Sequence, residues 1–268
     1  MIGIDFKRTR WVFLIVVALD LIFLSLPTII VVAASLTASD VVTFPPKGFS
    51  LKWYVKLVGQ EDLVAAFFRS LQVAVLCTVL AIPSGLGAAL ALHKYRVHWG
   101  RFWDVYFLLP FTIPLVVSGL GLLIISGKLG LINKVWPVGV ALTVINLPFM
   151  LWAVSSSINA LDENLEYAAQ NLGAEGLQTF IYVTLPALMP GIITGSLIMF
   201  ILGFNEFIVS LLLTTIHNMT LPVKIFNSIR AVIEPTLAAI SSVYIILAMG
   251  VIWILDRAVG LEEFLHTR

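Results

Sequence analysis

Six stretches of this sequence are each long and apolar enough to cross a lipid bilayer as a single helix. About 20 helical residues suffice, because each residue adds about 1.5 Å along the axis. In lipid, every backbone N–H and C=O must find a partner inside its own segment, so helices are the expected form. The predicted spans are residues 11–36, 67–92, 105–126, 135–158, 190–215 and 237–255. The sequence therefore predicts an all-α membrane protein with six transmembrane helices and a single domain covering residues 1–268.

Composition supports a membrane location and argues against several other kinds of function. Of the 268 residues, 60% are hydrophobic and only 12% are charged, about half the share of charged residues in a typical globular protein. A net charge of +1 provides no basic surface for nucleic acid. The one cysteine, Cys77, lies in an apolar run, and the four histidines lack metal-ligand spacing. We therefore expect membrane lipid as the surroundings of the chain, with no nucleic acid, metal ion or internal disulfide.

The first span and the basic residues indicate on which side of the membrane the termini lie, but they do not settle it. Three basic residues, Lys7, Arg8 and Arg10, precede an apolar run that is too long for the core of a cleaved signal peptide, so we predict an uncleaved first helix. Six spans place both termini on one side of the membrane. Lysine and arginine then divide evenly between the two sides, eight on each, and only the basic cluster before the first span favours an inside N-terminus.

The polar loop at about residues 159–189 predicts two short helices joined by a glycine. Asp162 suits the N-cap of the first helix, which carries an apolar face. Gly173 can end this helix in a left-handed conformation, and the second helix is expected to stop before Pro186. The apolar face is formed by Leu165, Ala168, Ala169 and Leu172. The residues alone leave open whether this element contacts another protein or rests on its own helix bundle.

Within this loop the sequence resembles the inner-membrane permeases of binding-protein-dependent, ATP-driven importers. Their pattern is E-A-A-x3-G-x9-I-x-L-P, and this chain has Ala168, Ala169, Gly173, Leu185 and Pro186 in register, with Val183 for the isoleucine. Tyr167 occupies the glutamate position of the pattern, and Glu166 lies one residue earlier. The order of six spans and the stretch Leu-Pro-Phe-Thr-Ile-Pro at residues 109–114 are also similar to this family.

This resemblance implies the type I importer permease fold and a defined set of partners. The loop would be the coupling helix, located on the cytoplasmic side in a groove of an ATPase subunit, which places both termini in the cytoplasm of a bacterial inner membrane protein. The expected partners are a second permease subunit, as a heterodimer, two ATPase subunits and an extracytoplasmic substrate-binding protein that contacts residues 37–66 and 216–236. The implied coupling residues are Glu166, Tyr167, Ala168, Ala169, Gly173, Leu185 and Pro186.

The chain lacks a nucleotide site of its own. A phosphate-binding loop needs the pattern G-x4-G-K-S/T. The nearest match, residues 121–129, has one residue too many between its glycines and ends in Leu129 instead of a hydroxyl residue. No nucleophile with a base and no carboxylate pair is evident either. We therefore predict that the chain is not an enzyme, carries no cofactor, and relies on a partner subunit to bind ATP.

Ionisable residues inside spans are costly and mark candidate transport sites. Asn205 and Glu206 lie in the predicted fifth span, and Asp20 lies near the middle of the first; Asp104 lies at a span boundary, where it is easily solvated. Glu206 is the candidate for the substrate pathway, with a helix–helix contact as the equal alternative, whereas Asp20 is more readily explained as structural. The segments 203–207, 220–225 and 233–239 resemble the spermidine and putrescine branch of these permeases, and an acidic group suits a cationic substrate.

Several alternatives remain at this level. The same machinery could import another small solute, such as ferric iron, thiamine or an aminophosphonate. A secondary transporter driven by an ion gradient would need an inverted repeat and several intramembrane carboxylates, which the sequence does not contain. A membrane scaffold would explain the hydrophobicity but not the structured polar loop. The sequence favours import of a small, polyamine-like cation by alternating access.

Overall fold

The computed structural model describes residues 6–95, 97–231 and 234–259, and every regular element in these residues is helical. The described residues contain twelve α-helices and two π-helical segments. The first π-helical segment, π1 (Leu90–Lys94), continues α3, and the second, π2 (Phe180–Thr184), leads into α9. The α-helices are α1 (Phe6–Ser35), α2 (Lys52–Val58), α3 (Glu61–Ala89), α4 (Gly100–Thr112), α5 (Leu115–Lys128), α6 (Trp136–Ala160), α7 (Glu163–Asn171), α8 (Gly176–Thr179), α9 (Leu185–Asn205), α10 (Ile208–Leu213), α11 (Leu221–Ala231) and α12 (Pro235–Val259). The all-α prediction is confirmed for the described residues.

The described residues form two compact units. The first contains the residues up to Glu61 and those from Ile225 to Leu247, and the second contains Asp62–Lys224 and the residues from Ala248 onwards. The single domain predicted for residues 1–268 remains a prediction. The chain ends, residues 1–5 and 260–268, lie outside the described residues, as does Ile233 of the polyamine-like stretch.

The second unit is built around the packing of α6 against α9, the most extensive contact between described elements. Two glycines of α9, Gly191 and Gly195, are four residues apart and let the two backbones approach closely. A Cβ atom at Gly191 would lie 2.6 Å from the carbonyl oxygen of Ala153, and one at Gly195 would lie 2.3 Å from Met150 Sδ. Because lipid removes most of the hydrophobic driving force between helices, close packing of this kind has to stabilise the pair.

Four described helices are long and apolar enough to span a membrane: Phe13–Ser35, Glu61–Lys94, Trp136–Ala160 and Gly176–Asn205. A fifth span exists if α4 and α5, which meet at an angle of 91°, are counted as one broken span, and the apolar part of α12 described here is shorter. The six-span count is therefore not confirmed.

The predicted third span, residues 105–126, is wrong as a continuous helix. The helix is interrupted at Ile113 and Pro114, where Ile113 is extended with ψ 131°. A proline disfavours helical geometry in the residue before it and has no N–H to bond with the preceding turn. Both effects act here, so α4 ends at Thr112 and α5 begins at Leu115 in a new direction.

The predicted fifth span, residues 190–215, has different limits in the structure. Its helix starts earlier, at Gly176, and ends at Asn205, after which Glu206 is extended with ψ 122°. A second, short helix, α10, follows from Ile208. The region is apolar throughout, yet its helix is interrupted. Hydropathy reports composition and carries no information on backbone hydrogen bonds, so it could not reveal this interruption.

In the first unit, α2 packs against the segment that follows α1. Trp53 Nε1 donates to the carbonyl oxygen of Thr37 at 2.7 Å, and the hydroxyls of Ser35 and Tyr54 are 2.7 Å apart. By contrast, the side chains of residues 13–29 of α1 are all exposed. An apolar helix with no covered face requires lipid or another subunit around it.

Candidate functional site

The polar loop between α6 and α9 begins with a capped helix, as predicted. The Asp162 carboxylate accepts a hydrogen bond from the backbone N–H of Asn164 at 2.9 Å, which satisfies one of the free donors at the start of α7. The N-cap prediction for Asp162 is confirmed.

Helix α7 ends at a glycine in the left-handed conformation. Gly173 has φ +92°, its N–H donates to the carbonyl of Gln170 at 2.9 Å, and the N–H of Ala174 donates to the carbonyl of Ala169 at 3.0 Å. These two bonds are the Schellman arrangement that closes a helix C-terminus. Among the described residues, and apart from its chain neighbours, no atom lies within 4 Å of the position a Cβ would take at Gly173. The requirement for glycine here therefore comes from the backbone angle.

The second predicted helix does not stop before Pro186. It begins at α8, where the N–H of Glu175 donates to Gln178 Oε1 at 3.0 Å, and runs through π2 into α9 as one helix of 30 residues, Gly176–Asn205. Pro186 lies in the first turn of α9, directly after the π-helical turn. A proline lacks an N–H and crowds the carbonyl four residues earlier, and the wider turn before it accommodates both effects. The loop is thus joined to a candidate membrane helix without a flexible connection.

The loop and the first turns of the helix that follows it expose apolar and aromatic side chains. Leu172 is 90% exposed, Tyr182 77%, Leu177 71% and Tyr167 59%, and Ala168 is also exposed. Exposed apolar surface of this kind is typical of a contact site for another protein or for the membrane. Tyr167 occupies the glutamate position of the pattern and Glu166 precedes it; of these two residues, Tyr167 faces outward.

Glu166 instead faces its own bundle. Its Oε1 accepts hydrogen bonds from Lys94 Nζ and Thr184 Oγ1. Partial burial raises the pKa of the Glu166 carboxyl, but the hydrogen bonds from Lys94 and Thr184 and the charge of Lys94 outweigh this effect and lower it. Of the remaining pattern residues, Ala169 and Leu185 are half-buried and Pro186 is exposed.

A cavity of about 490 Å³ lies beside α7, and Glu166 and Lys94 form part of its wall. The other lining residues include polar groups of α6 and α7, among them Asn159 and Gln170. Water can therefore approach this side of the Lys94–Glu166 pair.

Asn205 and Glu206 lie at the break between α9 and α10. The carboxylate of the half-buried Glu206 accepts a hydrogen bond of 2.9 Å from the backbone N–H of Val209, and Asn205 is exposed. The short helix α10 packs against α5, where a Cβ at Gly119 would lie 2.6 Å from Leu212 Cδ1. Each of these two packed helices follows a break in a predicted span. Non-helical backbone at membrane depth is tolerated only where protein covers it or where it lines a cavity.

The two other carboxylates considered in the sequence, Asp20 inside the first span and Asp104 at a span boundary, lie elsewhere. Asp20 is exposed on α1, within its uncovered stretch. Asp104 lies on α4 with its Oδ1 3.6 Å from His93 Nε2, a pair that is ionic only when the histidine is protonated. Neither carboxylate is associated with a helix break.

The two segments expected to contact a binding protein are brought together within each unit. In the second unit, Lys224 pairs with Asp62 at 3.1 Å, and Arg69 donates to the carbonyl of Met219 at 3.2 Å. In the first unit, Lys56 pairs with Glu234 at 2.7 Å. All of these contacts join residues at or near 37–66 to residues of 216–236.

Two sets of contacts in the structure were not predicted from the sequence. Lys94 and Thr184 were not singled out, and a lysine at the end of an apolar run gives no signal that identifies its partner. The glycine pair Gly191 and Gly195 was also missed, although its G-x-x-x-G spacing in an apolar segment is a readable sign of close helix packing.

Comparison with known proteins places this geometry in context. The sequence model described as "Binding-protein-dependent transport system inner membrane component" matches residues 81–261. The chain is 29% identical over 258 residues to the putrescine transport system permease protein PotI of Escherichia coli (strain K12), covering 91% of this chain and 89% of that protein. It is 26% identical over 230 residues to the spermidine/putrescine transport system permease protein PotC of Haemophilus influenzae, covering 86% and 89% respectively.

The same fold occurs in a solved transporter. A chain from the crystal structure of a bacterial ABC transporter involved in the import of the acidic polysaccharide alginate superposes with a TM-score of 0.73, covering 96% of this chain and 98% of that chain at 17% sequence identity. This similarity confirms the type I permease fold. It says nothing on the solute, because sequence identity at this level supports the fold alone.

Proposed function

The chain belongs to the family of inner membrane components of binding-protein-dependent transport systems, and from that membership we propose that it moves a small, polyamine-like cation into the cytoplasm by an ATP-driven, alternating-access cycle. It is a multi-pass permease subunit of such an importer. The proposed complex contains a second permease subunit, two ATPase subunits that bind and hydrolyse ATP, and an extracytoplasmic binding protein. Both termini and the 159–189 loop are proposed to be cytoplasmic.

The observation that carries this proposal is the exposed loop surface around α7. Tyr167 and Leu172 offer exposed side chains on an element outside the candidate spans, and Leu177 adds another in the first turn of Gly176–Asn205. Gly173 ends α7 in a left-handed conformation between them. Ala168 leaves room for another surface to approach closely. We propose that this surface occupies a groove of an ATPase subunit.

The proposed transmission of movement follows from the continuity of the helix after the loop. Because α8, π2 and α9 form one helix, Gly176–Asn205, a displacement at its first turn moves its whole length as a body. The close packing of α9 on α6 would carry α6 with it. The movement ends at the break after Asn205, where the chain changes direction. Rigid-body motion of packed helices between two states is a common form of switching.

The proposed substrate rests on two supports. The relatives named for putrescine and spermidine transport match most of the chain, and Glu206 places a carboxylate at a break in a predicted span, where a cationic solute could be bound. Import of ferric iron, thiamine or an aminophosphonate by the same machinery remains the alternative, because the separate binding protein sets much of the specificity.

The first test is purification of the tagged chain from its native membrane with its partners. We expect an ATPase and a second permease subunit to co-purify, and ATP hydrolysis in liposomes to rise when a putrescine- or spermidine-loaded binding protein is added. If only a binding protein loaded with another solute stimulates hydrolysis, the proposed substrate is wrong and the proposed ATP-driven complex stands. A chain that purifies alone and drives uptake from an ion gradient would overturn the proposal in favour of a secondary transporter.

A further inference from the structure

Lys94, Glu166 and Thr184, together called the polar clasp here, join three segments that are far apart in the sequence. Lys94 Nζ donates to Glu166 Oε1 across 72 residues and to Thr184 Oγ1 at 3.3 Å across 90 residues. Thr184 Oγ1 donates to the same Glu166 oxygen across 18 residues. The three residues belong to π1, α7 and π2. One carboxylate oxygen therefore connects the loop helix to the last residue of the candidate span Glu61–Lys94 and to a residue inside the candidate span Gly176–Asn205.

We propose that Lys94 and Thr184 are positioning residues that hold α7 through Glu166, so that a displacement of α7 moves both Glu61–Lys94 and Gly176–Asn205 together. This inference rests on the proposed function of the loop and adds a second route for its movement. Gly176–Asn205 is already linked to α7 by the chain, whereas Glu61–Lys94 has no direct chain connection to it. The clasp supplies that link.

Burial makes the clasp more than a surface ion pair. The side chains of Lys94 and Glu166 are 17% and 16% exposed, and Thr184 is buried. An exposed pair contributes little, whereas a partly covered pair loses more when one partner is removed. Among the described side chains, Lys94–Glu166 is the only ion pair that joins α7 to another helix.

The π-helical turns add an independent observation. Lys94 is the last residue of π1 and Thr184 is the last residue of π2, so both clasp partners of Glu166 end a π-helical turn. A π turn contains one residue more than an α turn and changes the face on which the following side chains project, and such turns concentrate at functional positions. Two of them, in two different candidate spans, direct side chains to one oxygen of α7.

The surroundings of the polar clasp allow the Lys94–Glu166 ion pair to separate and form again. The cavity beside it, about 490 Å³, lets water approach the ion pair, so the two charges can be solvated if they separate. Threonine both donates and accepts hydrogen bonds, so Thr184 can partner either charge. A fully dry pair would resist separation far more strongly.

The test uses the assembled transporter in liposomes and measures how many-fold the loaded binding protein stimulates ATP hydrolysis. Each value is divided by hydrolysis without the binding protein, and melting temperature and subunit ratio are recorded in parallel. The variants are Lys94→Met, Lys94→Arg, Thr184→Val and the exchanged pair Lys94→Glu with Glu166→Lys. Lys128→Met is the matched control, because Lys128 is an exposed lysine outside the clasp.

We expect Lys94→Met to assemble and to lose stimulation by about tenfold, within the usual range for coupling between two sites. Thr184→Val should have a smaller effect, while Lys94→Arg, the exchanged pair and Lys128→Met should retain or regain most of the stimulation. Normal stimulation in Lys94→Met would overturn the inference. So would a loss that follows only the melting temperature and is not restored by the exchanged pair, because that result means local stability. If the wild-type complex contains no ATPase at all, the proposed function itself fails.

Discussion

The backbone N–H of Val209 donates a 2.9 Å hydrogen bond to the carboxylate of Glu206, three residues earlier. This bond lies at the break where α9 ends and α10 begins, and it satisfies a donor in the first turn of α10. Glu206 therefore has a structural task that any transport role must accommodate. The two tasks use different properties of the side chain, because a hydrogen bond acceptor is enough for the first and a negative charge is needed for the second.

Replacement of Glu206 by glutamine separates these tasks. The glutamine side chain keeps an oxygen acceptor for Val209 and loses the charge, so we expect a normal amount of assembled complex and cation uptake reduced by about tenfold, the effect of losing about 1.5 kcal/mol of interaction with a charged group. Glu206→Ala should lower both quantities. The measurement is radiolabelled putrescine uptake, normalised to the amount of complex in the membrane. Parallel loss of uptake and complex in Glu206→Gln would assign Glu206 to structure alone.

Replacement of Gly173 tests the shape of the loop. Proline at this position would force φ to about −65° where the structure has +92°, and would remove the N–H that bonds to Gln170. We expect Gly173→Pro to insert into the membrane at normal levels and to abolish uptake. Gly173→Ala should be intermediate, since a left-handed conformation costs a residue with a Cβ about 1–2 kcal/mol.

The control for Gly173 is Gly176→Ala. Gly176 also has open space around its Cβ position but has no positive φ, so alanine should be accepted there with near-normal uptake. Immunoblots of membrane fractions check insertion for every variant. Normal uptake by Gly173→Pro would remove the coupling role of the loop.

Local chemistry made the first helix of the loop, with its cap and its end, predictable from the sequence, whereas the end of the second helix was predicted wrongly. The cap at Asp162 and the left-handed Gly173 depend on residues within a few positions of each other, and both were predicted correctly. The membrane helices were located by their composition, yet the breaks after Thr112 and Asn205 were not predicted. Proline and carboxylate residues occur at these breaks, but intact membrane helices tolerate them too.

The partners of Glu166 could not be predicted for a different reason. Lys94 is 72 residues away, and its position opposite α7 depends on how α3, π1 and α9 pack. The pattern of the loop suggests an outward-facing acid at this site, whereas the one-residue displacement turns Glu166 by about 100° and leaves Tyr167 on the outside. A displacement of one residue in the sequence thus decides whether the carboxylate points outward or contacts Lys94 and Thr184 within the bundle.

Replacement of Gly191 tests the α6–α9 contact. Alanine there would place Cβ 2.6 Å from the carbonyl oxygen of Ala153, so the two backbones must separate. We expect a lower melting temperature of the purified chain, with a cost of about 1–3 kcal/mol. Gly121→Ala on α5 is the control, since no other part of the described chain lies within 4 Å of its Cβ position. Alanine favours a helix over glycine by about 1 kcal/mol, so Gly121→Ala should melt at an equal or higher temperature. A Gly191→Ala variant that behaves like this control would mean that the close approach is not needed.

Membrane sidedness can be tested with two engineered cysteines. The even division of lysine and arginine leaves the orientation to the loop assignment, which puts Leu172 in the cytoplasm and Ile216 outside. Leu172 is 90% exposed and Ile216 is 81% exposed, so cysteine at either position is open to reagents. The native Cys77 is fully buried, which keeps background labelling low, and Cys77→Ala provides the control.

A membrane-impermeant maleimide applied to intact spheroplasts should label Ile216→Cys and leave Leu172→Cys unlabelled, and inside-out vesicles should give the opposite pattern. The opposite result in both preparations would reverse the orientation and remove the loop from the side where ATP is hydrolysed. Co-expression of the ATPase subunits should then protect Leu172→Cys in inside-out vesicles, because the exposed apolar surface around α7 would be covered. Labelling that is equally fast with and without these subunits would show that they bind elsewhere, and the docking role of α7 would have to be abandoned even if its orientation is correct.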